Sequence, residues 1–457
     1  MTGVRMPALP AERPVPDERM RAAVAGAPCL VVLDDDPTGT QTVRGLPVLT
    51  GWDVEDIRWA LRQGTDGIFI LTNSRSLSAP AADAVNREAA AACLRAAAAE
   101  GRAITFASRS DSTLRGHFPL EVTALSAAVA PDAVIIAPAY VDAGRITIDS
   151  VHWVRSGDEL VAVGETEFAR DATFGYTRSS LPEWVAEKSG GAVPAADVAR
   201  ITLTDLREGG PDAVAARLAG LRGGRMVALD AVTDDDLRVF CLAAIEAERA
   251  GRRLLYRVGP SFVRARTGQP RHPPLSDAEL AGLVARPPGT GGLIVVGSHV
   301  SLTTRQLERL RRRVPVRDVE VAVGAPSLTA AVRAVADGLA AGHVVVHTPR
   351  ELVRGATPED SLAIARQVSA DLSDVVRRGI ERVRPAFVVA KGGITSADIA
   401  TRSLGIRRAW IRGTLLPGVV SLWQPAPGGG PAVPYVVFAG NVGDEHSLAD
   451  VVERLGA

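Results

Sequence analysis

Lysine is almost missing from this 457-residue chain. Of 52 basic residues only Lys188 and Lys391 are lysine, and the rest are arginine. That skew is the mark of a GC-rich coding bias, so a lysine kept against it, such as Lys391 in a Gly-rich stretch, stands out. Charge of one sign is also lacking, since 52 acidic residues balance the 52 basic ones. A neutral chain has no electrostatic footprint for nucleic acid or an anionic membrane. Cysteine is scarce too. Cys29, Cys93 and Cys241 have neither metal-ligand spacing nor an even disulfide framework, so a reducing cytoplasm is expected. No apolar run approaches the roughly 20 residues of a membrane span. The N-terminus is rich in Pro and charge and lacks the apolar centre of a secretory signal.

What is present is an ordinary globular composition, with a hydrophobic fraction of 46%, on a chain too long for one typical core. Its organising stretch is CLVVLDDDPTGTQTV, Cys29 to Val43. The apolar run Cys29 to Leu33 reads as a buried strand. It delivers Asp34, Asp35 and Asp36 into a turn that Pro37 begins, followed by Thr38 and Gly39. Capping a helix needs one acid, not three. Clustered carboxylates repel, so arginine, substrate hydroxyls or a metal must offset them. In open α/β sheets, ligands bind beyond the carboxyl ends of strands.

The same event recurs. Gly67 to Leu71 runs into Thr72, Asn73, Ser74 and Arg75. Ala103 to Ala107 opens into SRSDSTLRGH, with Asp111, Ser112, Thr113, Arg115 and His117. Ala133 to Ala137 opens into PAYVDAGR, ending at Arg145, and Leu254 to Val258 reads as a last strand. Strands interleaved with helices predict an α/β fold with mainly parallel sheets. Arginine suits bidentate recognition of a carboxylate, so three strand-end arginines suggest a small acid bearing hydroxyls. Ser150 to Tyr176 breaks the rhythm and reads as an insert or flap.

The Pro- and Gly-rich stretch 267–291 reads as a linker. The chain is therefore divided into a flexible arm (1–27), a substrate domain (28–266), that linker, and a second α/β domain (292–457). In the second domain three Gly-bearing turns lie between strand and helix. They are Gly297-Ser298 with Ser301 and Thr303, Gly392-Gly393-Ile394-Thr395-Ser396 after Lys391, and Gly440-Asn441 with Gly443. Glycine lets the backbone approach, and a helix N-terminus turns free N–H groups to an anion. Three such turns suggest a nucleotide, although neither a Walker A run nor a well-placed GxGxxG occurs. Strands are also expected at Leu293 to Val296, Glu320 to Val323, His343 to His347, Ala386 to Ala390 and Tyr435 to Ala439. Long helices are expected at Ser327 to Ala341 and Asp360 to Val383. An acid-binding domain joined to a nucleotide domain reads as a kinase, with transfer in the cleft between them.

DDDPTG, SDSTLRGH, PAYVDAGRIT, TEFARDATFGY, GSHVSLTTRQ, KGGITSADIA, GTLLPGV and GNVGD occur in that order from Cys29 to the C-terminus. Together they resemble the four-carbon acid sugar kinase family. The resemblance implies an N-terminal sugar-acid domain, a C-terminal nucleotide domain, ATP with Mg²⁺, and substrates such as threonate, erythronate or 3-oxo-tetronate. It places Asp35, Asp36, Thr38 and Gly39 in the family's acidic turn and Asp111 and Arg115 in its substrate turn. Ser298, Gly392 to Thr395 and Gly440 look like its ATP contacts. Asp34, Pro37, Thr40 and Gln41 depart from the commoner pattern. They lie at the substrate end and bear on which acid is used, a branched or differently oxidised one included. Asp35 or Asp36 is the expected base; metal ligands are not assigned. Two rivals are carried. Asp34-x-Asp36-x-Thr38 also matches a haloacid-dehalogenase nucleophile motif, with Asp234 to Asp236 as later acids. A sensor would bind the acid without turnover. A homo-oligomer is left open.

Overall fold

The computed structural model describes residues 3–284, 290–322, 327–350 and 358–456. The chain divides into two compact units, Met1–Arg271 and His272–Ala457.

The strands of the first unit are β1 (Val4–Arg5), β2 (Cys29–Asp34), β3 (Pro47–Leu49), β4 (Gly67–Leu71), β5 (Ile104–Arg109), β6 (Ala133–Ala137), β7 (Arg145–Ile148), β8 (Val151–Ser156), β9 (Glu159–Ala162), β10 (Ala199–Ile201), β11 (Arg225–Leu229) and β12 (Leu254–Val258). Eight of them form a parallel sheet in the order β10-β11-β6-β12-β5-β2-β4-β3. β2, β4, β6 and β12 are buried along their whole length. Parallel strands covered on both faces read as continuous apolar runs rather than alternating ones. The chain leaves β2 towards β4 on one side and later returns to β5 on the other. Beyond the carboxyl ends of β2 and β5 lies the crevice where such sheets bind ligands.

A smaller antiparallel sheet, β1-β9-β8-β7, takes two of its strands, β8 and β9, from the expected insert. Of the stretch 1–27, expected to be a flexible arm, the described residues 3–27 are docked instead. Val4 pairs with Leu160, Asp17–Val24 is helical with Met20 and Val24 buried, and Arg238 Nη2 donates to Asp17 at 2.7 Å. A few apolar side chains anchor a segment whose overall composition looks loose.

The second unit contains β13 (Leu293–Val296), β14 (Val316–Glu320), β15 (His343–His347), β16 (Val388–Lys391), β17 (Arg408–Thr414), β18 (Ser421–Pro425) and β19 (Tyr435–Phe438). Its sheet order is β17-β18-β19-β16-β13-β15-β14, parallel from β19 onward and antiparallel from β17 to β19. The strand expected at 320–323 lies one strand-length earlier, at Val316–Glu320, and Val323 is outside the described residues. Within the expected linker, Asp277–Leu283 is a helix whose N-cap Ser276 forms a capping box with Glu279. Leu275, Leu280 and Val284 enter the core of the second unit; residues 285–289 lie outside the described set. No described helix is long and apolar enough to cross a membrane.

Candidate active site

The strand ends of the first unit converge into a lattice of carboxylates and guanidiniums. Asp34 closes β2 and Asp35 and Asp36 follow it, Arg75 follows β4, and Arg109 closes β5. Each acid has a different environment. Asp34 is paired to Arg109, and both are buried. Burial pushes the Asp34 carboxyl up to about 7, with Arg109 pulling it down and Asp35 and Asp36 adding to the rise. Asp35 receives a two-pronged grip from Arg75, Nε at 3.0 Å and Nη2 at 2.6 Å. Asp36 caps the 3₁₀ turn Pro37–Thr42, accepting from Thr38 N at 2.9 Å. Burial opposes its charge, yet Arg75, Arg109 and the Thr38 bond bring its carboxyl below the usual carboxylate range. With side chains 2% exposed for Asp34 and Asp35 and 16% for Asp36, only Asp36 is accessible.

Gly39 is required here. A Cβ on it would lie 2.2 Å from Arg109 Nε and 2.4 Å from Asp34 Oδ2. Next to this, Asp111 accepts from Thr113 and from Arg115 Nε at 2.7 Å. Burial opposes charge on Asp111, but Arg115 and Arg75 pull its carboxyl well below the usual range. Arg115 and Arg145 both face the Phe168 ring, at 5.2 and 5.9 Å from its centroid. Phe168 and Asp171, which lies 3.7 Å from Arg115, come from the insert, and Tyr176 Oη donates to Thr113 O.

Three residues of this lattice escaped the sequence reading: Arg109, Glu121 and Arg257. Buried Glu121 accepts from Ser74 Oγ at 2.6 Å and lies 3.7 Å from Arg257. Burial pushes the Glu121 carboxyl up to about 7, and Asp35 adds to this. Arg109 stands inside the quoted SRSDSTLRGH stretch, so its position was visible; its partner was not. The later acids of the phosphatase reading serve other ends. Asp236 forms a capping box with Thr233 and pairs with Arg207, while Asp234 pairs with Arg264.

In the second unit β19, β16 and β13 are adjacent and parallel, so the turns after Val296, Lys391 and Phe438 share one sheet edge. They touch. Thr303 Oγ1 donates to Ser298 Oγ at 3.2 Å and to Gly440 O at 3.0 Å. A Cβ on Gly440 would meet Ser298 Oγ at 2.7 Å. Gly392 has φ +121, a region that favours glycine. Gly393 opens the helix Gly393–Asp398, Thr395 is buried beneath Gly297, Ile394 is 55% exposed, and Gly443 has φ +78. Backbone therefore dominates this surface.

Lys391 departs from expectation. Its side chain is fully buried, with Nζ donating to Ala439 O at 2.6 Å and standing 3.8 Å from the Phe438 ring centre. Burial pushes its ammonium down to about 6. It braces one turn against the next from below and does not face the turn surface. The cation beside Ser298 is Arg350, which the sequence reading passed over. Arg350 Nη2 donates to Ser298 O at 2.7 Å and to Thr304 Oγ1 at 2.9 Å, while its Nε and Nη1 are buried without a partner.

An acid-and-arginine crevice thus ends the sheet of one unit, and a cradle of glycine turns ends the sheet of the other. A model of a sugar-binding N-terminal domain matches residues 30–266, and one of a nucleotide-binding C-terminal domain matches residues 293–448. The chain belongs to the four-carbon acid sugar kinase family. It is 28% identical to the D-erythronate kinase of Heliobacterium modesticaldum over 294 residues, 61% of this chain and 59% of that one. It is 35% identical to the D-threonate kinase of Salmonella typhimurium over 136 residues, 30% of each chain. The chain thus aligns with less than two thirds of the length of either. Two solved structures share the fold. One, from Salmonella typhimurium LT2, has a TM-score of 0.64 at 20% identity, covering 92% of this chain and 98% of that one. The other, from Haemophilus influenzae, has 0.60 at 18%, covering 93% and 99%.

Proposed function

We propose that this chain is an ATP-dependent kinase that phosphorylates a hydroxyl of a small, four-carbon sugar acid, erythronate, threonate or 3-oxo-tetronate being the types. The observation that carries the reading is the pairing of two unlike strand-end surfaces in one chain. One is a charged crevice in which Asp36 is the accessible member of the three clustered acids. The other is a backbone cradle of three adjoining glycine turns. The names of the two aligned kinases support it.

In this reading Asp36 accepts the proton of the attacking hydroxyl. Asp35, clamped by Arg75, holds that arginine in place beside the acceptor. The Ser298, Gly392–Thr395 and Gly440 turns bind phosphate through backbone N–H groups, with Arg350 supplying the positive charge. Among the described residues no three His, Cys, Asp or Glu side chains converge as a metal site. Mg²⁺ would enter as a companion of the nucleotide phosphates, with at most one or two carboxylates of the protein beside it, the usual manner of its binding. There it would neutralise charge on the transferring group. Three buried free thiols suit a cytoplasmic setting.

A phosphatase with Asp34 as nucleophile is disfavoured, because Asp34 is buried under Gly39 and paired to Arg109. Incubation with Mg-ATP and a panel of four-carbon and branched sugar acids, read as ADP release, tests the proposal. ADP formed only with an acid present is the expected result. Phosphate release from a phosphomonoester, lost in Asp34→Asn, with no ADP from any acid, would overturn it.

A further inference from the structure

Arg75, Arg109, Arg115, Arg145 and Arg257 all stand at the strand-end edge of the first unit. Four of them are spent. Arg75 holds Asp35 at 2.6 Å, Arg109 holds Asp34, Arg115 holds Asp111 at 2.7 Å, and Arg257 lies 3.7 Å from Glu121. Among the described residues Arg145 has no carboxylate partner. Its Nη1 donates to the Ala143 carbonyl, and its buried Nε has no hydrogen bond. A half-buried guanidinium whose buried Nε has no acceptor is costly; burial holds Arg145 below its ordinary range, with Asp111 pulling the other way from beyond ion-pair distance.

Arg145 is nonetheless held in place. Its backbone N and O pair with Tyr140 O and N, each at 3.0 Å. Tyr140 Oη donates to Gln41 Oε1 at 2.8 Å, which ties this turn to the 3₁₀ segment that Asp36 caps. One side of its guanidinium meets Phe168, which also faces Arg115. An arginine edge with a free Nε–H is suited to a carboxylate, and to little else as small and planar.

We propose that Arg145 receives the carboxylate of the acceptor and is the residue that makes the protein select an acid over a neutral polyol. This rests on the sugar-acid reading of the first unit. A substrate carboxylate would supply the counter-charge the protein withholds from this one arginine. The other four arginines would shape the crevice and hold the acids that face the hydroxyl end.

The test is titration calorimetry of the full chain with erythronate and threonate and with their reduced counterparts erythritol and threitol, alongside ADP release with Mg-ATP. Wild type should bind the acid at least about 10-fold more tightly than the tetritol, the worth of one charged hydrogen bond. Arg145→Gln should erase that preference while binding the tetritol as before, and Arg145→Lys should restore part of it. A preference retained in Arg145→Gln overturns the proposal; should that variant not fold, a preference undiminished in Arg145→Lys overturns it instead. Acid binding that depends on Arg145 but without ADP release would sustain the proposal and sink the kinase reading. Absence of acid binding by wild type would sink both.

Discussion

The two units solve the same problem, a polar site at the end of a parallel sheet, with opposite materials. In the first, acidic and basic side chains dominate: three acids at the end of β2 are matched by Arg75 beyond β4 and Arg109 at the end of β5. In the second, the three turns after β13, β16 and β19 touch through glycine, serine and threonine, and the nearby lysine is turned inward. Under the proposed function, the difference follows from what each surface would hold. A small acid with several hydroxyls calls for directional side chains in a fixed arrangement. A chain of phosphates is already strongly charged and is met by backbone N–H groups, provided nothing larger than glycine stands in the way.

The comparison breaks most completely at Gly39. Gly39→Ala should push Arg109 off Asp34, and breaking a buried ion pair costs about 3–5 kcal/mol. Urea denaturation should register that loss together with loss of turnover. A near-normal midpoint would mean the side-chain lattice is not held by that pair. Next comes Asp36→Asn, expected to lower kcat by about 10²–10⁴-fold, the range for a lost general base, with little change in unfolding midpoint. Asp34→Asn should show the reverse emphasis, instability first.

The pH profile sharpens the same point. A base must be ionised to act, and Asp36 lies below the usual carboxylate range, so activity should persist to acidic pH until the fold or the substrate intervenes. Were Asp34 the base, with its carboxyl at about 7, activity would already be halved near neutrality. A kcat profile between pH 5 and 8 separates the two.

A smaller effect is expected at Lys391. Its folded pKa of about 6 lies below the ordinary 10.5, so the unfolded chain binds more protons between those values. Stability from this group is therefore lost as pH falls from 10.5 towards 6 and is fully present above 10.5. The difference in stability between wild type and Lys391→Met should move in favour of wild type as pH rises from 6 to 9. A difference independent of pH would mean the ammonium is not buried as described. Smallest of all, Ile394→Ala removes an exposed side chain and should leave stability within about 0.5 kcal/mol. Any change in nucleotide affinity in that variant would then report direct contact.

Several elements were readable in advance and others were not, for identifiable reasons. Gly67–Leu71, Ala133–Ala137, Leu254–Val258, Leu293–Val296 and His343–His347 form strands over the residues expected, because a strand covered on both faces must be locally apolar. The docking of the arm and the helix inside the linker, within which the two units divide, were illegible for the converse reason. Met20, Val24, Leu275 and Leu280 are too few to colour their segments, yet enough to anchor them. Arg257 was invisible as a site residue because its partner Glu121 is far away along the chain.

Local composition alone determined the strands, the turns that end them, and the two kinds of residue, acidic and glycine-rich, that those turns carry. Those are short-range demands of burial and backbone conformation. Only the tertiary structure decided that Lys391 lies inside, that Asp36 is the most exposed of the three clustered acids, and that Arg145, unlike the four other strand-end arginines of the first unit, has no carboxylate partner among the described residues. Charge compensation and burial act through space, between residues whose separation along the chain says nothing of their distance.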